Sequence, residues 1–497
     1  MYRNSSATLF SMLVAAAIAP VLASAHDDTS GIGVQFAADA SGVLGIVNLN
    51  GRTRSDGPFF ESLGTNGRSC STCHVAEQAF SFSADGARQR FERSQGSDPL
   101  FATVDGANCP NVKRGEPAGH SLLLHSGLIR VGLKLPANAQ FTISVVHDPY
   151  GCAMVPDPKG GLPTVSVYRR PLPTANLVFL SSVMFDGRET VTPLNDERTF
   201  FANLISNLMH QATDATLGHA QATQPPRPGQ LAQIVAFEMG LFTAQTRDHR
   251  AGYLAARRAQ GGPFYLAAQT YYPGINDSLG GDPTGKAFDA TAMTLFAPWA
   301  SLQGDDDGEA ERRDGARRAI AVGEQLFNSA PLHITNVRGL NDNVALGKPR
   351  SFVGHCSSCH DTPGVGNHSL PLPLDIGTAH TPLPGMESDP AVAAALAQLS
   401  MPDLPVYLVS GCPNPFAPAE PESFYTSDPG KALITGQCSD VNRIKGPVLR
   451  GLAARAPYFH NGAAASLREL VNFYDQRFSM QLTEEQKSAL VAFLNSL

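Results

Sequence analysis

Beyond its first 25 residues, this 497-residue chain has no segment long and apolar enough to favour a membrane span. It also lacks any basic run of the kind that engages nucleic acid, and its formal net charge is -7. Such a mildly acidic balance keeps a protein soluble and can suit a basic redox partner. Tryptophan is nearly absent, Trp299 being the only one, and no histidine occurs from Val75 to Gly119. Internal repetition is confined to one pentapeptide, which excludes a solenoid or propeller.

That pentapeptide is Cys70-Ser71-Thr72-Cys73-His74, and it recurs as Cys356-Ser357-Ser358-Cys359-His360. In the opening turn of a helix, cysteines three apart and a histidine one residue further share a face. Two thiols can then form thioethers to haem vinyl groups while the imidazole meets the iron. A zinc site would want four nitrogen or sulfur ligands, usually with a second pair nearby. A redox dithiol would sit at a strand-to-helix turn of a βαβ unit. Neither context is present, so the expectation is two covalently bound haem c groups.

Residues 1–25 read as an export signal: Arg3, an apolar run from Leu9 to Leu22 interrupted by Pro20, then Ala23-Ser24-Ala25 before a polar stretch. The expected location is therefore periplasmic or secreted, a compartment that permits disulfides. Four cysteines lie outside the repeats and allow three pairings or free buried thiols; Cys109–Cys152 with Cys412–Cys438 is the expected pairing, because it keeps each bond within one inter-motif segment.

The fold class expected is mainly α, with two cytochrome c-like haem domains spanning 26–245 and 246–497. Residues 26–69, rich in Gly, Asn and Ser, read as an irregular lead-in. A small β-containing insertion is expected at about 85–170, with β-branched strands at Phe141–Val146 and Thr164–Tyr168. Helical spacing of apolar residues predicts helices over Arg198–Gln211, Gln230–Gln245 and Asp314–Asn328, with a short one near Pro390–Leu399. Gly261–Asp307 reads as a long ordered connection. The chain closes with Ala463–Tyr474 and a helix whose Thr483-Glu484-Glu485-Gln486 has capping-box spacing.

Four blocks carry a family resemblance: Ser69–His74, Arg170-Pro-Leu-Pro-Thr-Ala-Asn176 leading to Phe185-Asp186-Gly187-Arg188, His355–His360, and Gly446-Pro-Val-Leu-Arg450 leading to Ala456-Pro-Tyr-Phe-His460-Asn-Gly462. In order and spacing they resemble the bacterial dihaem cytochrome c peroxidase family, which includes MauG, apart from insertions at 85–170, 189–207 and 361–440. The resemblance implies hydrogen peroxide meeting the N-terminal haem, ligated by His74. The His360 haem would relay electrons from a small redox protein, a cytochrome c or cupredoxin, or from an oxidisable substrate.

Several departures from the family pattern matter. Where resting forms of the family place a capping histidine, this chain has Arg90, so the first iron is expected open, with His120, His125 or His147 as competing ligands. Leu208-Met-His-Gln211-Ala212 resembles the distal block that sets a Gln over the peroxidatic haem. The Glu expected ten residues later falls on Gln221, while His219 nearby can do acid–base work near pH 7. Phe185 replaces the inter-haem tryptophan, and Arg188 is expected to meet a haem propionate or Asp186. Calcium held between the haems is a further implication, although Arg170 stands where the family has Asn. Counting fourteen residues from His460 places Tyr474 as second ligand of the His360 haem, a position held by Met in peroxidases and Tyr in MauG. Met386, Met401 and Met480 are the competing ligands. The rival functions are an electron-transfer cytochrome without substrate and a haem oxygenase that activates dioxygen.

Overall fold

The computed structural model describes residues 31–51, 53, 57–303, 308–366, 368, 370–386, 389–413 and 419–497, so the expected export signal lies outside the described residues. The first correction concerns fold class. The chain is only 32% helical with 16% strand, distributed over several sheets, and is not mainly α.

Instead of an irregular lead-in, the first described segment is a hairpin of β1 (Gly33–Ala38) and β2 (Gly42–Asn48). Asp39 closes its turn by accepting from the backbone N–H groups of Ser41 and Gly42 at 2.9 and 2.8 Å. The predicted Gln230–Gln245 helix ends at Gly240, and its last residues belong to β7 (Leu241–Asp248). β7 pairs antiparallel with β2, Val47 opposite Phe242 and Ile46 opposite Thr243, and β8 (Gly252–Tyr253) completes a sheet of order β1-β2-β7-β8. Position 245, the expected division between domains, lies within β7. The residues Leu241-Phe-Thr-Ala-Gln-Thr246 are compatible with either period, and a waiting partner strand decides the outcome.

The insertion at 85–170 does not form a self-contained β unit. Within it β3 (Ile129–Lys134), β5 (Met154–Val155) and β6 (Thr164–Arg169) make one sheet, β6 in the middle. β4 (Thr142–His147) leaves that group and pairs with β11 (Val406–Cys412), which in turn pairs with β12 (Glu422–Thr426). Two insertions far apart in sequence thus share a sheet. Cys109–Cys152 and Cys412–Cys438 are both disulfide-bonded, stapling this region on either side. A last pair, β9 (Leu332–Ile334) and β10 (Phe352–Gly354), leads into the second pentapeptide.

Helices carry the two pentapeptide regions. Phe200–Gly218 buries Phe200, Leu204, Ile205, Leu208 and Ala212 along one face, as helical spacing requires. Glu484–Leu494 begins with the capping box, Thr483 and Gln486 bonding reciprocally. It crosses the long helix Gly308–Ser329 at Gly323, where a Cβ would sit 2.1 Å from the Ala489 carbonyl oxygen. Among the described residues, no helix is long and apolar enough to cross a membrane.

Gly323→Ala should therefore force the two helices apart, lowering stability by about 1–3 kcal/mol, the range for overpacked cores. Chemical denaturation checks this, and an unchanged midpoint would show that the crossing yields without strain.

Candidate functional site: two cavities, each with a Cys-x-x-Cys-His wall

The first pentapeptide forms a short 3₁₀ turn, Cys70–Thr72, in which the backbone N–H groups of Cys73 and His74 donate to Cys70 O at 3.2 and 3.0 Å. The turn is tied at its start by Ser69 N–H donating to Thr72 Oγ1 at 3.0 Å. His74 Nδ1 donates to Phe80 O at 3.0 Å, which leaves Nε2 as the lone-pair nitrogen. Burial pushes this imidazole down to about 4, so it is neutral, the form a metal ligand needs. Phe59, Phe80 and Phe237 pack behind Cys70 and shield the turn from water.

Cys70, Cys73 and His74 form one wall of a largely apolar cavity. Gln211 and His219, carried by the Phe200–Gly218 helix and its C-terminal cap, line the same cavity. Both side chains reach the same space. Gln221 does not line this cavity; it bonds Asn66 at the surface. Arg90, His120 and His147 are also turned elsewhere: Arg90 pairs with Asp98, His120 donates to Gly106 O at 2.7 Å, and His147 pairs with Asp403. His125 likewise does not line it.

The second pentapeptide is the single-turn helix Cys356–Cys359, opened by His355 N–H donating to Ser358 Oγ at 2.9 Å. Cys356, Cys359 and His360 face a second apolar cavity, and burial pushes the His360 imidazole down to about 4. Tyr474, on the helix Leu467–Arg477, lines the same cavity, with Met480 beside it; Met386 and Met401 do not reach it. Burial, then the neighbouring Cys356 and Cys359 thiols, push the Tyr474 phenol up. Phe185 lines this cavity too, its ring 6.1 Å from that of His460 in an edge-to-face contact. Arg188 lines neither cavity; its guanidinium is held by Asp186 at 2.9 Å.

Three site residues had no clear signature in the sequence. Glu238 lies in the first cavity, and burial alone pushes its carboxyl up to about 8. Its position as the one carboxylate in Ile234-Val-Ala-Phe-Glu238-Met239 was the available hint. Lys445 lines both cavities; burial pushes its amine down to about 8, opposed by Asp186. Asp105, buried in the insertion, reaches the first cavity from a loop that no local pattern marks.

Arg170 bears on the question of a cation between the halves. Its guanidinium donates to Gly127 O at 3.0 Å, to Arg455 O at 2.8 Å and to Phe82 O. Gly127 permits this approach, since a Cβ there would lie 1.7 Å from Arg170 Nη1. A carbonyl cluster of the kind that binds calcium is thus filled by a side chain.

Both cavities fit haem c. Each offers two thiols and a neutral imidazole on one wall of a largely apolar space. Burial pushes Cys356 and Cys359 up to about 12, opposite to the depressed thiol of a dithiol oxidoreductase. Among the described residues the one cluster of potential metal ligands is Glu189, His210 and Asp214, which includes neither pentapeptide. Arg170, buried, and Arg455, half-buried, line the second cavity without a carboxylate partner among the described residues, and the cavity thereby offers positive charge to an anionic group such as a haem propionate.

Cavity and pentapeptide together define a chain shaped to carry c-type haem. No family model matches the chain. Curated relatives do. It is 36% identical over 98 residues to the cytochrome-c peroxidase IdrP2 of Denitromonas iodatirespirans, covering 18% of this chain and 25% of that one. To the cytochrome-c peroxidase IdrP2 of Pseudomonas sp. (strain SCT) it is 32% identical over 202 residues, 35% of this chain and 49% of the relative. To the cytochrome c551 peroxidase of Nitrosomonas europaea it is 35% identical over 69 residues, 14% and 21% of the two chains. The matches thus span about half or less of the relatives' length. The chain is a homologue of cytochrome-c peroxidases, consistent with the dihaem cytochrome c peroxidase family.

Arg170→Ala should strand the Phe82, Gly127 and Arg455 carbonyls at a cost of about 1–3 kcal/mol for each one left unsatisfied. The denaturation midpoint should fall accordingly, and a midpoint equal to that of the unsubstituted protein would show that Arg170 holds nothing together.

Proposed function

We propose that this protein is a periplasmic dihaem oxidoreductase that reduces hydrogen peroxide at the His74 cavity, with electrons passing through the His360 cavity. The observation that carries the reading is the unequal furnishing of two matching cavities. Both have a Cys-x-x-Cys-His wall, but the first adds Gln211 and His219, whereas the second adds Tyr474. Bound haem c, anchored through Cys70 and Cys73 with His74, and through Cys356 and Cys359 with His360, would supply redox-active iron to each.

Reduction of peroxide to two waters consumes two electrons and two protons. The His219 imidazole can serve as a proton acceptor and donor, and the Gln211 amide can orient peroxide by hydrogen bonding. Tyr474 offers a hard phenol oxygen to the second cavity, a donor that favours higher metal oxidation states over a thioether. Phe185 and Lys445 occupy the space toward the second cavity, and the packed ring gives electrons a covalent and van der Waals path. The Arg170 guanidinium supplies the positive charge at the carbonyl cluster, so no calcium is needed there. Two disulfides support an oxidising compartment. The electron source is a small redox protein, a cytochrome c or cupredoxin, or an oxidisable substrate.

Steady-state peroxide consumption with reduced cytochrome c as donor tests the reading, and His219→Ala should slow it by about 10²–10⁴-fold with haem content intact. A protein with full haem that consumes no peroxide with any donor would sink it. Tyr474→Phe should alter the absorption spectrum of the second haem and open it to carbon monoxide; an unaltered spectrum would remove Tyr474 as a ligand.

A further inference from the structure

Asp105 is 4% exposed and lies in the insertion, yet it reaches the cavity of the first pentapeptide. Both of its carboxylate oxygens are in use. Oδ1 accepts from Arg68 Nη1, and Oδ2 accepts from His219 Nδ1. Arg68 is itself fixed: Nε donates to Pro99 O at 2.8 Å and Nη2 to Leu100 O at 2.7 Å and Ala102 O at 3.3 Å. Nη1 also reaches the backbone carbonyl of His219 at 3.3 Å, where Asn66 Nδ2 donates at 2.8 Å. The Asp105 backbone is held from the other side, its carbonyl accepting from Arg130 N–H at 2.9 Å. Backbone and side chain of His219 are therefore both located by the segment just before Cys70 and by one buried carboxylate.

We propose that Asp105 is a positioning residue for His219, fixing the tautomer with hydrogen on Nδ1 so that Nε2 presents its lone pair to the cavity. The proposal rests on the peroxidatic reading of that cavity. Its physical basis is that a carboxylate can only accept at His219 Nδ1, so that nitrogen must carry the hydrogen and Nε2 is left as the base. Burial pushes the Asp105 carboxyl up, but the Arg68 guanidinium and then His219 outweigh it and hold the carboxyl below its usual range, so it stays an acceptor. His219 Nε2 has no hydrogen-bond partner among the described residues, and the ring remains partly open to solvent, which supplies protons. The arrangement places a base with a defined empty site where a carboxylic acid would otherwise serve. In the reaction, Nε2 takes a proton from one peroxide oxygen and returns it to the other as the O–O bond breaks; the electron donor supplies two electrons and solvent the two further protons, so that two waters leave while Asp105 keeps its charge throughout.

Asp105→Asn is the discriminating change, because the amide oxygen still accepts from Arg68 while the amide nitrogen donates to His219 Nδ1 and forces the hydrogen onto Nε2. Cyanide association offers a readout apart from turnover, since hydrogen cyanide must surrender its proton to a base as it binds. Asp105→Asn and His219→Ala should each slow cyanide association and lower kcat/KM for peroxide by about 10²–10⁴-fold, with haem content retained. In the His219→Ala background, Asp105→Asn should have no further effect. Equal multiplication of the two losses would mean that Asp105 acts independently of His219, and would overturn the proposal. Slow His219→Ala beside a normal Asp105→Asn overturns the positioning role alone; normal rates in both overturn the role assigned to His219 as well. Should Asp105→Asn fail to fold, a neutron structure of the unsubstituted protein decides: deuterium on His219 Nδ1 supports the proposal and its absence there refutes it.

Discussion

Two consecutive arginines, the last residue of β6 and the one that follows it, hold the two halves of this protein in one arrangement. Strand alternation sends neighbouring side chains to opposite faces. Arg169 grips Asp428 through two bonds of 2.6 and 2.9 Å and also meets Asp186, all three side chains being buried. Arg170 turns the other way into the carbonyls of Phe82, Gly127 and Arg455. Pro171 and Leu172, which follow directly, line both cavities. Removing one partner of a buried pair of this kind typically costs about 3–5 kcal/mol, because the other charge is left uncompensated. The distance between the two cavities is set by this seam.

The same seam explains why the polar groups of the cavities differ while their pentapeptide walls match. Asp428 is shared between Arg169 and, at 3.6 Å, His460 Nε2, while Asp186 is shared between Arg169 and Arg188. Negative charge near the second cavity is thus already committed. Burial holds Lys445 below its usual range there, and Arg170 and Arg455 are likewise held down. Positive side chains therefore line the second cavity, whereas the His219 ring at the first is partly open to solvent.

Insertions that interrupt the family blocks are structural partners of each other. β4 from the first insertion pairs with β11 from the second, so the sheet β12-β11-β4 closes over the seam. The Tyr407 hydroxyl, reaching from β11, donates to the Ala153 carbonyl at 2.9 Å, a second tie between the insertions. The first insertion also delivers Asp105 to the cavity. Sequence added far from the pentapeptides therefore completes the site.

What the sequence determined by itself is what depends on neighbours along the chain. The pentapeptides, the capping box at Thr483, the two disulfide partners within single segments, and the helix that carries Gln211 all follow from local spacing. The position of Tyr474 in the second cavity followed from counting along a family pattern. Tertiary structure decided the rest, because its causes lie far away in the chain. Gln230–Gln245 has helical spacing, yet its end becomes β7 because β2 supplies hydrogen-bond partners about 200 residues distant, and β propensity depends on such partners. A mainly α expectation failed for the same reason: short strands with distant mates leave little local trace. Arg188 could equally meet a propionate or Asp186 on paper, and the fold gave it Asp186. Asp105, Glu238 and Lys445 acquired their surroundings only when separate segments closed around them, since burial and charge pairing are properties of the assembled chain.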